Sequence, residues 1–175
     1  MKILLAGLNS QYIHSNLALY YLKSSCRNGV PGVRVDIHEY TINDGLDLIK
    51  GQLFEQKPDI MALSCYIWNI EQVLEIVTDL KKVMKQTVFV LGGPEVSYET
   101  SRLMAEVPAI DFVIRGEGEV AFPLLVEYIC TRQGDINDIS GLVYRKGDGI
   151  IDRGMARSVD LTKDVPEFLD DYIDN

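Results

Sequence analysis

At 175 residues the chain is long enough for one domain with a full core, and a hydrophobic share of 47% is that of a globular protein. A net charge of −9 argues against nucleic acid as a partner, since gripping phosphates requires a basic surface. No apolar run approaches the roughly 20 residues that span a bilayer, and the stretch Met1–Gly7 is too short for a signal peptide, so the expected compartment is the cytoplasm. Cys26, Cys65 and Cys130 stand far apart, which excludes a zinc or iron–sulfur site built from close cysteine pairs and makes reduced thiols the expectation.

Lys2–Gly7 is a short apolar run suited to a strand buried on both faces. Ser15 or Asn16 can cap a helix through Leu17, Leu19, Tyr20 and Leu22 towards Cys26, which Gly29, Pro31 and Gly32 end. Val33–Tyr40 alternates apolar and polar residues, as a strand nearer the sheet edge would. Asp44-Gly45 opens a second helix, with Leu46, Ile49, Leu53 and Phe54 at helical spacing. Ile60–Tyr66 is a buried strand, and a helix from Ile70 to Met84 repeats Val73, Leu74, Val77 and Leu80 on one face. Val88–Leu91 is a β-branched and aromatic run that stops at Gly92-Gly93-Pro94-Glu95. Ser97 or Tyr98 starts a short helix containing Leu103 and Met104. Ile110–Arg115 is a fifth strand, Gly116–Glu119 a turn, and Val120–Arg132 a fifth helix.

Five β–α units in strict alternation predict a doubly wound, flavodoxin-like (Rossmann-like) α/β fold with a five-stranded parallel sheet in the order 2-1-3-4-5. The order reverses between strands one and three, and ligands bind outside the carboxyl ends of the strands at such a point. The loops that begin at Asn9, Ser64 and Gly92 meet there. Residues 1–134 form this domain. Ile139–Asp152 reads as a β-hairpin turning at Lys146–Gly149, an extension spanning residues 135–155. Residues 156–175 are polar and increasingly acidic and read as a linker towards a further domain.

Gly116-Glu117-Gly118-Glu119-Val120-Ala121 formally matches the dinucleotide fingerprint, yet it follows the last strand and sets two carboxylates where a pyrophosphate would sit. The physical alternative is that Glu117 and Glu119 complement the positive end of the helix and pair with Arg115. A phosphoacceptor receiver domain would need an acidic cluster after strand one and an Asp ending strand three. Asn9-Ser10-Gln11 and Ser64-Cys65-Tyr66 stand in those places. Flavin binding would want a Ser/Thr/Gly-rich phosphate loop, which Leu8–Tyr12 matches only weakly. His14 and His38 are isolated, and Cys65 reads as a small buried hydrophobe. Tyr66 and Trp68 either stack on a flat ligand or cover the sheet edge. The glycine pair makes either a tight turn or room for something bulky.

Together, Cys65-Tyr66-Ile67-Trp68-Asn69, Leu91-Gly92-Gly93-Pro94-Glu95 and Arg115-Gly116-Glu117-Gly118-Glu119 resemble the cobalamin-binding domain. More narrowly, residues 1–145 resemble the N-terminal domain of B12-binding radical SAM proteins, the group that includes the anaerobic magnesium-protoporphyrin ester oxidative cyclase. The resemblance implies a corrin lying over the carboxyl ends of the strands, with its nucleotide tail beside strands three and four. Adjacent glycines would clear the tail and Ser64 would hydrogen-bond to it. The cofactor-binding set so implied is Asn9, Ser10, Gln11, Tyr12, Ser64, Cys65, Tyr66, Trp68, Gly92, Gly93, Pro94, Glu95, Gly116 and Glu117. The family's D-x-H-x-x-G motif places a cobalt-ligating His where this sequence has Gln11, and an amide is a poor cobalt ligand. No metal ligand is therefore assigned, with His14 as the substitute candidate. A radical SAM domain in cis would carry the 4Fe-4S cluster and S-adenosylmethionine. The Cys-x-x-x-Cys-x-x-Cys motif for that cluster is absent from this sequence, so the chain is expected to bind cofactor and not to run radical chemistry alone. The rival reading is a flavodoxin-like interaction or flavin-binding module.

Overall fold

A computed structural model of the chain describes residues 1–11, 15–158 and 160. Tyr12, His14 and most of the expected linker lie outside the described residues. Five strands run parallel: β1 (Lys2–Asn9), β2 (Arg34–Thr41), β3 (Ile60–Ser64), β4 (Val88–Gly92) and β5 (Phe112–Ile114). Helices α1 (Leu17–Gly29), α2 (Leu46–Glu55), α3 (Ile70–Val83), α4 (Thr100–Glu106) and α5 (Gly118–Thr131) connect or follow them.

The strand order is β2-β1-β3-β4-β5, as expected, but the sheet does not end there. It has seven strands rather than five. The hairpin β6 (Leu142–Lys146) and β7 (Gly149–Asp152) continues it, with Leu142 opposite Ile114 and Tyr144 opposite Phe112 in antiparallel register. The physical reason is the edge that β5 would otherwise leave, a row of unpaired N–H and C=O groups beside the core. Val143 is fully buried against the same residues that β4 and β5 cover.

Alternating side chains divide the core into two layers. Leu4, Ala6 and Leu8 of β1, with Met61, Leu63, Phe89 and Leu91, pack on Ile49 and Leu53 of α2 and Val73, Ile76 and Val77 of α3. Ile3 and Leu5, with Ile60, Ala62 and Val90, pack on Leu19 and Cys26 of α1 and Phe122, Leu125 and Val126 of α5. Both faces are covered, which is why the central strands read as unbroken apolar runs. Phe54 departs from its expected place on the buried face of α2 and is exposed, because α2 lies across the sheet with Ile49 and Leu53 inward.

The carboxyl ends of β4 and β5 are tied together by short polar links. A 3-10 turn over Pro94–Val96 follows Gly93, and Ser97, expected to start a helix, instead bridges two loops. Its hydroxyl donates to the Gly93 carbonyl (2.8 Å) and accepts from the Gly116 N–H (3.1 Å). Arg115 donates to the Ser97 carbonyl (2.9 Å) and to both carboxylate oxygens of Asp152 on β7 (2.8 and 2.6 Å). Arg115 is expected from the sequence to pair with Glu117 and Glu119; here its Nη1 is shared between the two carboxylate oxygens of Asp152. After β7 the chain crosses the end of β5, where the Ala156 N–H donates to the Arg115 carbonyl (2.8 Å). Gly141, at φ +84°, makes that crossing possible: a Cβ there would stand 2.7 Å from Ala156.

Phe89 is fully buried at the centre of one layer. Phe89→Ala is expected to cost about 3–5 kcal/mol in urea unfolding, whereas Val83→Ala on the exposed end of α3 stays within about 0.5 kcal/mol.

Candidate functional site

Strand order alone makes a crevice between the ends of β1 and β3, and the residues that shape it are mostly polar. Asn69, just before α3, is 1% exposed and fully engaged. Its Nδ2 donates to the carbonyls of Leu8 (2.9 Å) and Ser64 (3.1 Å), and its Oδ1 accepts from the Tyr66 N–H (2.8 Å). This one side chain holds the ends of β1 and β3 side by side. Glu39 on β2 does the same for the loop after β1. It accepts from Asn9 Nδ2 (2.8 Å), the Asn16 N–H (2.7 Å) and the Tyr20 hydroxyl (3.1 Å).

Asn16, so positioned, donates from Nδ2 to Ser64 Oγ at 2.8 Å. Its side chain also reaches the Tyr66 hydroxyl, whose pKa burial raises against the opposing effect of that bond. Ser64 Oγ therefore already accepts one hydrogen bond and keeps its own O–H to donate.

Between α1 and α5, over the ends of β3, β4 and β5, opens a cavity of about 180 Å³. Ala18 and Leu22 of α1, Val90 of β4, Ile114 of β5 and Phe122 of α5 make apolar walls. Ser64, Tyr66, Gly92 and Gly93 line it from one side, and Gly116–Glu119 from the other. A space of this size takes one flat moiety rather than a whole drug-sized ligand.

Six of the residues expected from the sequence thus share the cavity: Ser64, Tyr66, Gly92, Gly93, Gly116 and Glu117. Asn9 is bound to Glu39, and Ser10, Gln11, Pro94 and Glu95 lie exposed around the rim. Tyr66 and Trp68 stack on each other, with ring centres 4.5 Å apart and planes 5° from parallel, and Trp68 Nε1 donates to the Leu8 carbonyl (3.2 Å). The pair covers the strand ends, and Trp68 and Ile67 leave an exposed apolar surface above them. Cys65 faces the core, not the crevice. It is fully buried and burial pushes its thiol well above the usual range.

The two glycines divide the tasks assigned to them jointly. Gly93 has φ +109°, and a Cβ there would stand 2.5 Å from the Cys65 carbonyl oxygen, so its glycine is demanded by backbone packing. A Cβ on Gly92 would meet nothing closer than the Ile114 carbonyl at 3.8 Å. Clearance into the cavity is therefore a property of Gly92. Gly7, unremarked in the sequence, lets Leu19 and the Asn16–Ser64 pair pack close: a Cβ there would crowd Leu19 at 3.0 Å and approach Asn16 Nδ2 and Ser64 Oγ at 3.5 Å.

Sequence reasoning missed Asn16 as a partner of Ser64, Asn69 as the tie, and the α1 wall. An Asn at a helix start reads as a cap, and Ala18 with Leu22 reads as ordinary helix packing. From the sequence, Glu119 stands at the helix end and in the Arg-Gly-Glu-Gly-Glu run, but outside the cofactor-binding set. It lines the cavity, its Oε2 is shut off from solvent with no hydrogen-bond partner among the described residues, and burial followed by the charge of Glu117 raises its pKa. The backbone N–H groups of Glu119 itself and of Gly118 partly oppose that rise. Among the described residues there is no cluster of side chains suited to a metal ion and no helix long and apolar enough to cross a membrane.

Comparison with known proteins follows the same lines. The family model of the B12 binding domain matches residues 3–126. The cobalamin-dependent radical SAM methyltransferase TokK of Streptomyces tokunonensis is 29% identical over 110 residues, 63% of this chain and 16% of that protein. The anaerobic magnesium-protoporphyrin IX monomethyl ester cyclase of Rubrivivax gelatinosus is 32% identical over 108 residues, 59% of this chain and 19% of that protein. The cobalamin-dependent S-adenosylmethionine radical enzyme OxsB, with aqua-cobalamin and S-adenosylmethionine bound, superposes with a TM-score of 0.78. At 18% identity that likeness speaks for the fold, over 94% of this chain and 23% of OxsB. The chain spans less than a third of each of these relatives.

Two measurements check the site's local physics. Gly93→Ala is expected to destabilise the fold by about 1–3 kcal/mol in urea unfolding, with Gly92→Ala costing less than half as much. Burial pushes Cys26 up to about 12 and Cys65 higher still, while Cys130, also raised by partial burial, is exposed. Since only the thiolate alkylates, iodoacetamide at pH 8 should label the native chain at Cys130 and reach the other two only on unfolding, as read by peptide mass mapping.

Proposed function

Since this chain belongs to the B12-binding domain family, we propose that it is the cobalamin-carrying module of a radical S-adenosylmethionine protein and takes the cofactor's nucleotide tail into the cavity between α1 and α5. The observation that carries the placement is the Asn16–Ser64 hydrogen bond at the cavity wall. With its acceptor side occupied, Ser64 offers a donor into an apolar slot, which suits the unprotonated ring nitrogen of a flat base released from cobalt. Gly92 keeps the way open, and Phe122, Ile114 and Leu22 exclude water from around the base.

The corrin, on this reading, rests outside the strand ends. Asn9, Ser10 and Gln11 lie to one side, Trp68 on the stacked Tyr66 beneath, and Pro94 and Glu95 on the other side. Cys65 contributes through its backbone, which accepts from the Glu95 N–H (3.3 Å) and donates to the Gly92 carbonyl (2.7 Å) and so fixes the loop. Gln11 in place of a histidine means that no imidazole of this motif is offered to cobalt. Bound cobalamin supplies methyl or electron transfer. The chain's own part is to hold it, keep the tail dry and present its upper face.

The 4Fe-4S cluster and S-adenosylmethionine belong, in the same proposal, to a radical SAM domain in cis, towards which residues 156–175 lead from the cobalamin-binding residues 1–134 and the hairpin of 135–155. TokK is named as a methyltransferase and the Rubrivivax protein as a cyclase, so methyl transfer and ring closure are the two reaction classes in view. None of the relatives described above speaks for the flavin alternative.

Mixing the purified chain with hydroxocobalamin, removing free ligand by gel filtration and recording the visible spectrum tests the reading. Retention near one corrin per chain at micromolar protein is expected, and a colourless eluate would overturn it. Ser64→Leu combined with Gly92→Val should lower retention by roughly tenfold or more while the thermal midpoint stays that of a folded chain.

A further inference from the structure

The cavity holds one polar atom that the proposed placement of the base leaves unused. Glu119 Oε2 is buried and without a hydrogen-bond partner among the described residues, in a space otherwise walled by Leu22, Ile114 and Phe122. An acceptor buried and unpaired costs about 1–3 kcal/mol, and a native chain rarely keeps one without a reason. Among the described residues two other buried oxygens are unpaired, Ser25 Oγ and Gln72 Oε1. Neither residue lines this cavity. Glu119 does, from the α5 side, while Ser64 and Tyr66 stand on the β3 side.

Resting on the cobalamin reading, we propose that Glu119 is a specificity residue for the nucleotide tail, its Oε2 accepting a hydrogen bond from a ribose hydroxyl. Three parts of the tail could meet a carboxyl oxygen here. The aromatic base belongs against the apolar walls and finds its donor in Ser64. The phosphodiester is anionic, and Glu117 next to Glu119 makes the neighbourhood negative, so Coulomb repulsion keeps it away. The ribose is neutral, carries hydroxyl donors and joins the base directly, so it arrives at the same cavity. The assignment divides the tail between two opposed groups: Ser64 donates to the base and Glu119 accepts from the sugar. A corrinoid without its nucleotide satisfies neither. Burial, followed by the charge of Glu117, raises the pKa of Glu119 although the backbone N–H groups of Glu119 and Gly118 oppose the rise, and a hydroxyl bound at Oε2 would add a donor to the oxygen that has none among the described residues.

The experiment compares hydroxocobalamin with dicyanocobinamide, which has the corrin but no nucleotide, by spectroscopic titration of the 175-residue chain. Wild type should bind cobalamin more tightly. Glu119→Leu is expected to weaken cobalamin roughly tenfold and leave cobinamide unchanged, whereas Glu119→Gln, whose amide oxygen still accepts, should keep cobalamin affinity within about threefold. Circular dichroism verifies each fold, and Glu119→Ala takes the leucine variant's place if that chain does not fold. Glu119→Leu binding both corrinoids like wild type overturns the assignment, as does an equal loss for both, which would mark a general effect on the fold. Wild type failing to bind cobalamin at all overturns the cobalamin reading and this inference with it. Wild type binding while the variant is indifferent overturns this inference alone.

Discussion

The buried carboxamide of Asn69 is the contact on which the crevice depends. A parallel sheet fixes its strands by their ladders, but ladders end where the strands do, and the site lies beyond that point. Asn69 continues the order by side-chain hydrogen bonds to Leu8, Ser64 and Tyr66. It uses both amide protons and its carbonyl in a place 1% exposed. A satisfied network in low dielectric is rigid because any single displacement leaves a buried group unpaired. Glu39 repeats the device one strand over. Between them, Asn16 and Ser64 are held at hydrogen-bond distance although 48 residues separate them in sequence.

The opposite side of the crevice is organised by cations and glycines. Arg115 joins the ends of β5 and β7 and the loop after β4 in one guanidinium, with Nε on the Ser97 carbonyl and Nη1 on both carboxylate oxygens of Asp152. Ser97 bridges Gly93 and Gly116 beside it. The hairpin is therefore more than an appendage on the sheet. It covers the β5 edge and supplies the carboxylate that orients Arg115, and through Arg115 it reaches the loops that flank the cavity.

Much of this architecture was legible in the amino-acid order, and the part that was not has a common cause. Unbroken apolar runs such as Ile60–Leu63 and the helical spacing of Val73, Val77 and Leu80 are local signals with one physical reading, and the parallel order followed from them. The hairpin was legible as a hairpin. Its pairing to β5 was not, because an edge that accepts another strand carries no mark in its own residues. The glycine pair showed that something there required glycine, but which glycine answered to the backbone and which to the cavity depends on where each missing Cβ would point. Tyr66 and Trp68 left two readings open for the same reason, because the 4.5 Å stack between them depends on how the loop after β3 folds. Asn16, Asn69 and Glu119 were passed over because caps and helix-end charges use the same residue types as buried networks do.

The crossing of Ala156 over Arg115 and Gly141 bears on the domain in cis proposed above. Backbone hydrogen bonding at Ala156 sets the departure point of the C-terminal segment at the carboxyl edge of the sheet, next to Gly116, and not at the opposite edge. On the proposal of a domain in cis, a body tethered from that point would meet the crevice at an effective concentration on the order of millimolar. Each encounter would then be intramolecular. A weak interface would suffice where a free partner would need a strong one.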